Sequence, residues 1–528
     1  MSRHRIGSLQ LALGVALNVM LGLALTCLSA QNASAVDGKP AAWPIPDWQT
    51  ASPEEQGVDS AALTGLIALG KPFRFDSLLI TRHGRIVLDA SYAPYTGELP
   101  HAVNSTTKAV IGSLIAILLK DGTLDSLDHP VVDFFGDREI ANLDERKKAI
   151  TIRHLLNMTS GLDWDEGLGG GKELSLSELM RSPDWVKYVL DRPMAHAPGE
   201  QFYYNSGSTH LLSAIITKLT GKSAADYAQE KLFGPLGIAP PFWRRDPQGI
   251  SAGGFGLALK PRDMARFGYL YLRGGRWDDQ QLLPPEWVEA VSHATLNMNL
   301  RSEPGMRYAN LFWALPDRHV YMSVGYHCQV VMVLPDQDVV AVVTARDFCP
   351  FRRLADDIAG SVKSDSALFP YPDGAASLAQ AISDVATEKP GSSSPVPEIA
   401  AAISGKTYQF PNNPLDFKSV TLFLTGADPH VAWETYQAGA PNGVLRLENP
   451  IGLDGRYRRN APENPAVPFS YRAMKGRWLD ERTFAIDLQF IGQGVERTLT
   501  ATFDGDRLTI RTKGRDGRDV SIESGTPG

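Results

Sequence analysis

His101-Ala102-Val103-Asn104-Ser105-Thr106-Thr107-Lys108-Ala109-Val110-Ile111-Gly112-Ser113-Leu114-Ile115-Ala116-Ile117-Leu118-Leu119-Lys120 decides how the rest of this chain is read. From Thr106 the segment is apolar nearly all the way round a helical wheel, which predicts a helix over Thr106–Lys120 that is buried rather than laid on a surface. Ser105 and Lys108 stand three residues apart at its start, a spacing that puts both side chains on one face. A serine hydroxyl is a weak nucleophile until a base takes its proton. A lysine serves as that base only where burial and neighbours depress its pKa. The free N–H groups of a helix start can help hold an oxyanion. The plain alternative makes Ser105 an N-cap and Lys108 a solvated first-turn residue. Ser-x-x-Lys is short enough to occur about once by chance in a chain this long, so the surroundings must decide.

Outward from that helix, Phe75–Thr81 and Arg85–Tyr92 read as a strand pair around His83-Gly84. The segments from Leu124 to Leu236 are mostly helical in pattern, with Gly/Asp-rich loops such as Asp163–Lys172. Gln329–Leu334 and Val339–Ala345 read as a hairpin joined by Pro335-Asp336-Gln337-Asp338, followed by a helix near Arg353–Val362. Strands at both ends with helices between predict an α/β (α+β) fold: an antiparallel sheet built from the two ends, flanked by helices, with a helical insertion. Residues 45–372 carry this pattern, and residues 373–400, with Glu388-Lys389-Pro390-Gly391-Ser392-Ser393-Ser394-Pro395, read as a linker. Residues 401–528 change character. Ser419–Thr425, His430–Tyr436, Tyr471–Trp478, Thr483–Phe490, Arg497–Phe503 and Arg507–Lys513 are short, alternating or β-branched runs split by turns, which predict a C-terminal all-β barrel or sandwich.

The chain has 528 residues, enough for two to four domains at roughly 100–200 residues each. Hydrophobic residues make up 43% and charged residues 21%, which excludes wholesale disorder. With 52 basic and 59 acidic side chains, the net charge of −7 gives no reason to expect nucleic acid. Arg3, His4 and Arg5 precede an apolar run from Leu9 to Leu28, and Ala33-Ser34-Ala35 follows. That order is a signal peptide over residues 1–35, so the chain is expected to be exported, periplasmic or secreted. The other reading is an uncleaved anchor, and only then, or after lipidation at Cys27, is a membrane a partner. The chain has 3 cysteines, too few for a disulfide-rich scaffold. Cys328 and Cys349 flank the open end of the predicted hairpin, where an oxidising compartment permits a bridge; two buried thiols are the alternative.

Further segments gather around Ser105. They are Asp121-Gly122-Thr123-Leu124, Ile150-Thr151-Ile152-Arg153-His154-Leu155-Leu156-Asn157-Met158-Thr159-Ser160-Gly161-Leu162, Pro198-Gly199-Glu200-Gln201-Phe202-Tyr203-Tyr204-Asn205-Ser206-Gly207, Gly253-Gly254 with Asp263-Met264-Ala265-Arg266-Phe267, and Gly325-Tyr326-His327-Cys328-Gln329. In this order and spacing they resemble the serine β-lactamase-like hydrolases, most of all the class C-related esterase and 6-aminohexanoate-dimer hydrolase branch. The resemblance runs from about Gln56 to Val362 and implies the β-lactamase/transpeptidase-like fold. It implies Ser105 as acyl-accepting nucleophile and Lys108 as its base. Tyr203 and Tyr204 both fit the second motif, and the family pattern Pro-Gly-x-x-Phe-x-Tyr selects Tyr204 as the proton relay. Ser206 then stands where Asn is usual, with Asn205 between, both as polar substrate-side groups. Tyr326 and His327 occupy the third motif, and the N–H near Gln329 completes an oxyanion hole with that of Ser105. Cys328 stands where Gly is usual. Asp163, Asp165 and Glu166 lie on a loop where related amide hydrolases contact substrate. No cofactor is implied. The expected reaction is hydrolysis of a small-molecule ester or linear amide through an acyl-enzyme; a β-lactamase or D-alanyl carboxypeptidase is the rival, and a non-catalytic envelope-binding protein the alternative of another class.

Overall fold

The computed structural model describes residues 42–167, 173–348, 350–391, 395–437, 441–460, 471–513 and 518–525. The signal-peptide segment and Cys349 lie outside the described residues. From Trp43 onward the chain forms one compact unit.

Its first part is a nine-stranded sheet with strands in the order β1-β3-β2-β11-β10-β9-β8-β7-β6. In chain order these are β1 (Gln49–Thr50), β2 (Phe75–Arg82), β3 (Arg85–Ser91), β6 (Leu296–Asn297), β7 (Arg307–Ala309), β8 (Phe312–Leu315), β9 (Val320–Gly325), β10 (Gln329–Leu334) and β11 (Val339–Ala345). The short strands β4 (His101–Ala102) and β5 (Ala258–Leu259) pair separately. Neighbours in the large sheet run antiparallel except β1 beside β3. Every residue of β2, β10 and β11 is buried. Strands covered on both faces read as continuous apolar runs, which is why Val330-Val331-Met332-Val333-Leu334 shows no alternation. Five helices pack against the sheet or one another around it: α1 (Ser60–Gly70), α2 (Thr106–Lys120), α4 (Pro261–Leu272), α5 (Phe351–Ser361) and α6 (Pro372–Ala386). Helix α3 (Ser206–Thr220) belongs to the helical insertion and packs on α2. All of Thr106–Leu118 in α2 is buried, as its unbroken apolar surface predicts.

The linker expected over residues 373–400 begins instead with α6. It packs on α1 and β3, and buries Leu378 and Val385. Gly374 and Ser377 weaken the helical pattern locally, but Pro372 at the first turn and the Leu378–Ile382–Val385 spacing give a helix one apolar stripe.

The C-terminal part is built of β-sheets, with one short helix, Ile399–Ile403, packed into their core. One sheet holds β12 (Thr407–Gln409), β13 (Phe417–Phe423), β14 (His430–Tyr436) and β15 (Val444–Pro450). The other is a meander of β16 (Arg458–Arg459), β17 (Arg472–Trp478), β18 (Thr483–Phe490), β19 (Val495–Asp504), β20 (Arg507–Lys513) and β21 (Asp519–Glu523). The two share one apolar core that includes Trp433, Phe484 and Phe503. This core is distinct from that of the first part, yet the β18–β19 turn is docked onto the first part. Gly492 O accepts from Ala102 N at 2.6 Å, and Gly494 O meets His327 Nδ1 at 3.1 Å. Tyr95, Ala473 and Ile491 form a small apolar cluster across the junction, and Glu496 pairs with Arg346 at 2.8 Å and with Arg74. Gly492 has φ +73°, and a Cβ there would lie 2.4 Å from Pro100 O. Gly492→Val is therefore expected to loosen the junction and lower stability by about 1–3 kcal/mol. Urea denaturation followed by tryptophan fluorescence checks this; an unshifted midpoint would show the turn is not a fastening point.

Candidate active site

Asn104, just before the nucleophile position, has φ +48°, a conformation that Asn tolerates better than most residues. Its side-chain amide donates to Tyr326 O at 3.0 Å, tying the start of α2 to the β9–β10 turn. Thr106 Oγ1 donates to Gln329 O at 2.9 Å, and Thr107 Oγ1 to Asn104 O. These bonds set the first turn of α2 against the sheet. Ser105 occupies the N-cap position, yet its side chain makes no capping bond. Its hydroxyl instead accepts from Lys108 Nζ at 2.9 Å. Lys108 is 1% exposed, so neither bland reading of the pair describes the fold.

Lys108 Nζ also donates to Ser206 Oγ at 2.8 Å and to Gly254 O at 2.8 Å. Three acceptors thus match the three protons of an ammonium. Burial pulls the lysine pKa down to about 8, and the Glu166 carboxylate acts against that pull. Glu166 is itself buried. It accepts from Ser206 N at 2.6 Å, from Trp164 Nε1 at 2.7 Å and from Ser206 Oγ. The Ser206 hydroxyl therefore spends its proton on Glu166 and turns a lone pair to Lys108. Tyr204 is 7% exposed, shares a side-chain hydrogen bond with Ser105, and lies with its ring centroid 4.6 Å from Lys108 Nζ. Burial, with Glu166 adding to it, holds the Tyr204 phenol well above its usual range, so it stays protonated. Tyr308 is buried close by and is raised in the same way.

Gly253 and Gly254 carry the carbonyl that receives Lys108. A Cβ on Gly253 would sit 2.0 Å from Thr209 O, and one on Gly254 2.7 Å from Ser206 Cβ, so only glycines let this loop touch the start of α3. A buried pair, His210 Nε2 with Asp246 Oδ2 at 3.0 Å, backs it, and Gly253 N donates to His210 Nδ1 at 3.4 Å.

The structure brings together Ser105, Lys108, Tyr204 and Ser206. Tyr203 points outward and is 42% exposed. Asn205, expected on the substrate side, is the N-cap of α3: its Oδ1 accepts from Ser208 N at 2.9 Å and it is 1% exposed. A helix start needs such an acceptor more than the site does. The Gln329 side chain is likewise fully buried and donates to the carbonyls of Tyr326, His327 and Ala345, so only its backbone can serve a substrate. Tyr326 is 54% exposed, its ring lying 3.9 Å from that of His327. Burial lowers the His327 pKa, leaving it neutral at pH 7. Cys328 has φ +62°, the left-handed conformation that explains why Gly would be the ordinary choice there, and it is disulfide-bonded. Of the acidic loop, Asp163 pairs with Arg192 and the Asp165 N–H donates to Ser175, while Glu166 turns inward behind Ser206 rather than toward a substrate. The local sequence gives no hint of that, because Ser206, the partner of Glu166, lies 40 residues on.

A hydroxyl beside a lysine amine of lowered pKa, with a neutral phenol on the same hydroxyl, is equipped for acyl transfer: one group attacks, one takes its proton, one returns a proton. A sequence model of the Beta-lactamase family matches residues 66–361. Protein flp of Staphylococcus aureus strain COL is 27% identical over 168 residues, 30% of this chain and 33% of that protein. The chain thus spans about a third of that relative's length. The 6-aminohexanoate-dimer hydrolase of Paenarthrobacter ureafaciens is 21% identical over 287 residues, 51% of this chain and 71% of the hydrolase. Among solved structures, the octameric penicillin-binding protein homologue from Pyrococcus abyssi superposes with a TM-score of 0.46 and 14% identity, covering 88% of this chain and 99% of that one.

The electrostatics make a direct test. Removing the Glu166 charge removes an effect that favours the ammonium, so Glu166→Gln should move the Lys108 midpoint below its value of about 8. An NMR titration of lysine side chains measures it, and an upward or absent shift would contradict the arrangement.

Proposed function

The chain belongs to the Beta-lactamase family, a family of serine hydrolases by fold, and from that premise we propose that it cleaves small linear amides and esters through an acyl-enzyme on Ser105. The observation that carries this reading is the buried contact between Lys108 Nζ and Ser105 Oγ at 2.9 Å. Neutral Lys108 takes the Oγ proton as Ser105 attacks the carbonyl carbon. The oxyanion is received by the backbone N–H groups of Ser105 and Gln329. Collapse breaks the carbon–nitrogen or carbon–oxygen bond of the leaving group, which takes a proton through Tyr204. Water then adds to the acyl carbon, Ser105 Oγ departs with a proton, and the free acid leaves. Ser206 and Glu166 hold the Lys108 amine in line throughout.

The third motif supports amides and esters over β-lactams. Where the antibiotic's carboxylate would need a cation, the chain offers Tyr326, uncharged, and His327, held neutral by burial. Charge-assisted hydrogen bonds are roughly twice as strong as neutral ones. Losing one costs on the order of 1.5–3 kcal/mol, about tenfold to over a hundredfold in affinity. The likeness to the Paenarthrobacter hydrolase agrees with a linear amide substrate. Export through the first 35 residues belongs to the same proposal, and the disulfide at Cys328 suits an oxidising compartment.

A fluorophosphonate probe should label Ser105, and the purified protein should turn over p-nitrophenyl acetate. Ser105→Ala and Lys108→Ala should each cut that rate by on the order of 10³-fold or more, and the double variant should be scarcely worse, since the residues act as one unit. Penicillins and cephalosporins should be poor substrates beside esters. Near-normal turnover in Ser105→Ala would sink the assignment, and efficient cephalosporin hydrolysis with little esterase activity would favour a β-lactamase.

A further inference from the structure

A separate space lies along the junction with the C-terminal sheet. A cleft of about 1100 Å³ opens between the first part of the chain and the β17–β20 face of the C-terminal sheet. Small-molecule sites usually occupy about 300–1,000 Å³, so the cleft has room for a substantial chain. Tyr326 and His327 form part of its wall. Tyr326 O is held by Asn104, the residue before Ser105, so one hydrogen bond joins the cleft wall to the start of α2.

The pleat of the sheet decides what the far wall presents. Lys475 pairs with Asp487, Asp487 with Thr498, and β19 and β20 continue that row to Lys513. Directly opposed residues point to the same face. The row Lys475–Asp487–Thr498–Lys513 therefore lies on the polar side of the sheet, opposite the apolar core, and all four residues line the cleft. Five basic and three acidic side chains line it in all. Each acid is already engaged. Glu496 is paired with Arg346 and Arg74, Asp487 with Arg477 and Thr498, and Glu388 accepts from Tyr457 N. Lys475 sits 4.4 Å from the Tyr457 ring centroid, and neither it nor Lys513 has an ion-pair partner among the described residues. The wall is thus a polar face whose lining acids are paired, with Lys475 over the Tyr457 ring and Lys513 opposite Asp519 of β21, neither in an ion pair among the described residues.

We propose that this cleft is a substrate subsite that receives the distal, carboxylate-bearing end of an extended linear substrate, with Lys475 and Lys513 as the groups that read its charge. It rests on the amide and ester hydrolase reading and narrows the substrate to chains with an anionic end, long enough to run from Ser105 past Tyr326. The C-terminal domain then serves as half of the substrate site, and the Gly494 carbonyl on His327 holds that half in place.

The test uses the mature full chain and two series of linear amides of increasing length. The terminal carboxylate is on the acyl side in one series and on the amine side in the other, and each member is matched by its neutral carboxamide. In at least one series, beyond a threshold length, the anionic member should have a KM about tenfold or more below that of its neutral twin. The Lys475→Gln/Lys513→Gln variant should abolish that difference while leaving p-nitrophenyl acetate turnover, the melting temperature and fluorophosphonate labelling unchanged. Equal KM values for charged and neutral members in both series, or a preference that survives in the double variant, overturns the subsite and leaves the hydrolase reading standing. Absence of both Ser105 labelling and p-nitrophenyl acetate turnover in the wild type overturns the hydrolase reading, and the subsite with it.

Discussion

Everything near Ser105 is arranged around one burial problem, a lysine amine 1% exposed at the start of an apolar helix. An isolated ammonium in such a place is costly, and the usual outcomes are a lowered pKa or a set of compensating acceptors. Here both occur. Three oxygens, from Ser105, Ser206 and Gly254, receive the amine, and each comes from a different segment of the chain. That requirement explains features far from the reaction. The two glycines at 253 and 254 exist so that a loop backbone can reach the amine past α3. Asp246 and His210 hold that loop from behind. Glu166 keeps the Ser206 lone pair aimed inward and limits how far the lysine pKa falls. The outcome is an amine near the point where its protonated and neutral forms are both accessible at neutral pH, the condition a general base needs.

A second network ties this centre to the C-terminal sheet. Asp76 on β2 holds His101 at 3.0 Å and Arg346 at 2.9 Å, and Arg346 passes on to Glu496 of β19. His101 opens the segment that ends in Ser105. The same segment gives Ala102 N to Gly492 O. Two contacts of the β18–β19 turn thus fall on the strand leading to the nucleophile position and on the third-motif histidine. Partly buried ion pairs of this kind fix geometry more than they add stability. Their consequence is positional: they hold the polar sheet face across a cleft from Tyr326 and His327.

Much of the fold in both parts was legible because its elements depend on local pattern. The buried helix Thr106–Lys120, the hairpin Gln329–Leu334 with Val339–Ala345, and the strands His430–Tyr436, Thr483–Phe490 and Arg507–Lys513 have the boundaries their apolar runs predict. Helix α6 was not legible, since its apolar stripe is sparse, with Gly374 and Ser377 in its first turns, and it follows a Pro-rich approach. Strands such as β15, with exposed positions at Arg446 and Glu448, carry too little apolar signal to mark a strand.

At the site, the sequence by itself determined the chemical types and their local spacing: a serine and a lysine one helical turn apart, a pair of tyrosines before a helix, and a turn lacking the third-motif cation. It could not determine which neighbour each side chain meets: Glu166 and Lys108 find partners 40 to 146 residues away, Asn205 and Gln329 find theirs within 16, and packing chooses among them. Whether Asn205 faced a substrate or capped α3, whether Glu166 was solvated or stood behind Ser206, and whether Gln329 offered its side chain or only its backbone were decided by the tertiary structure alone. The physical reason is the same in each case. A buried polar atom must find a partner, and the partner is whichever group the folded core brings within about 3 Å.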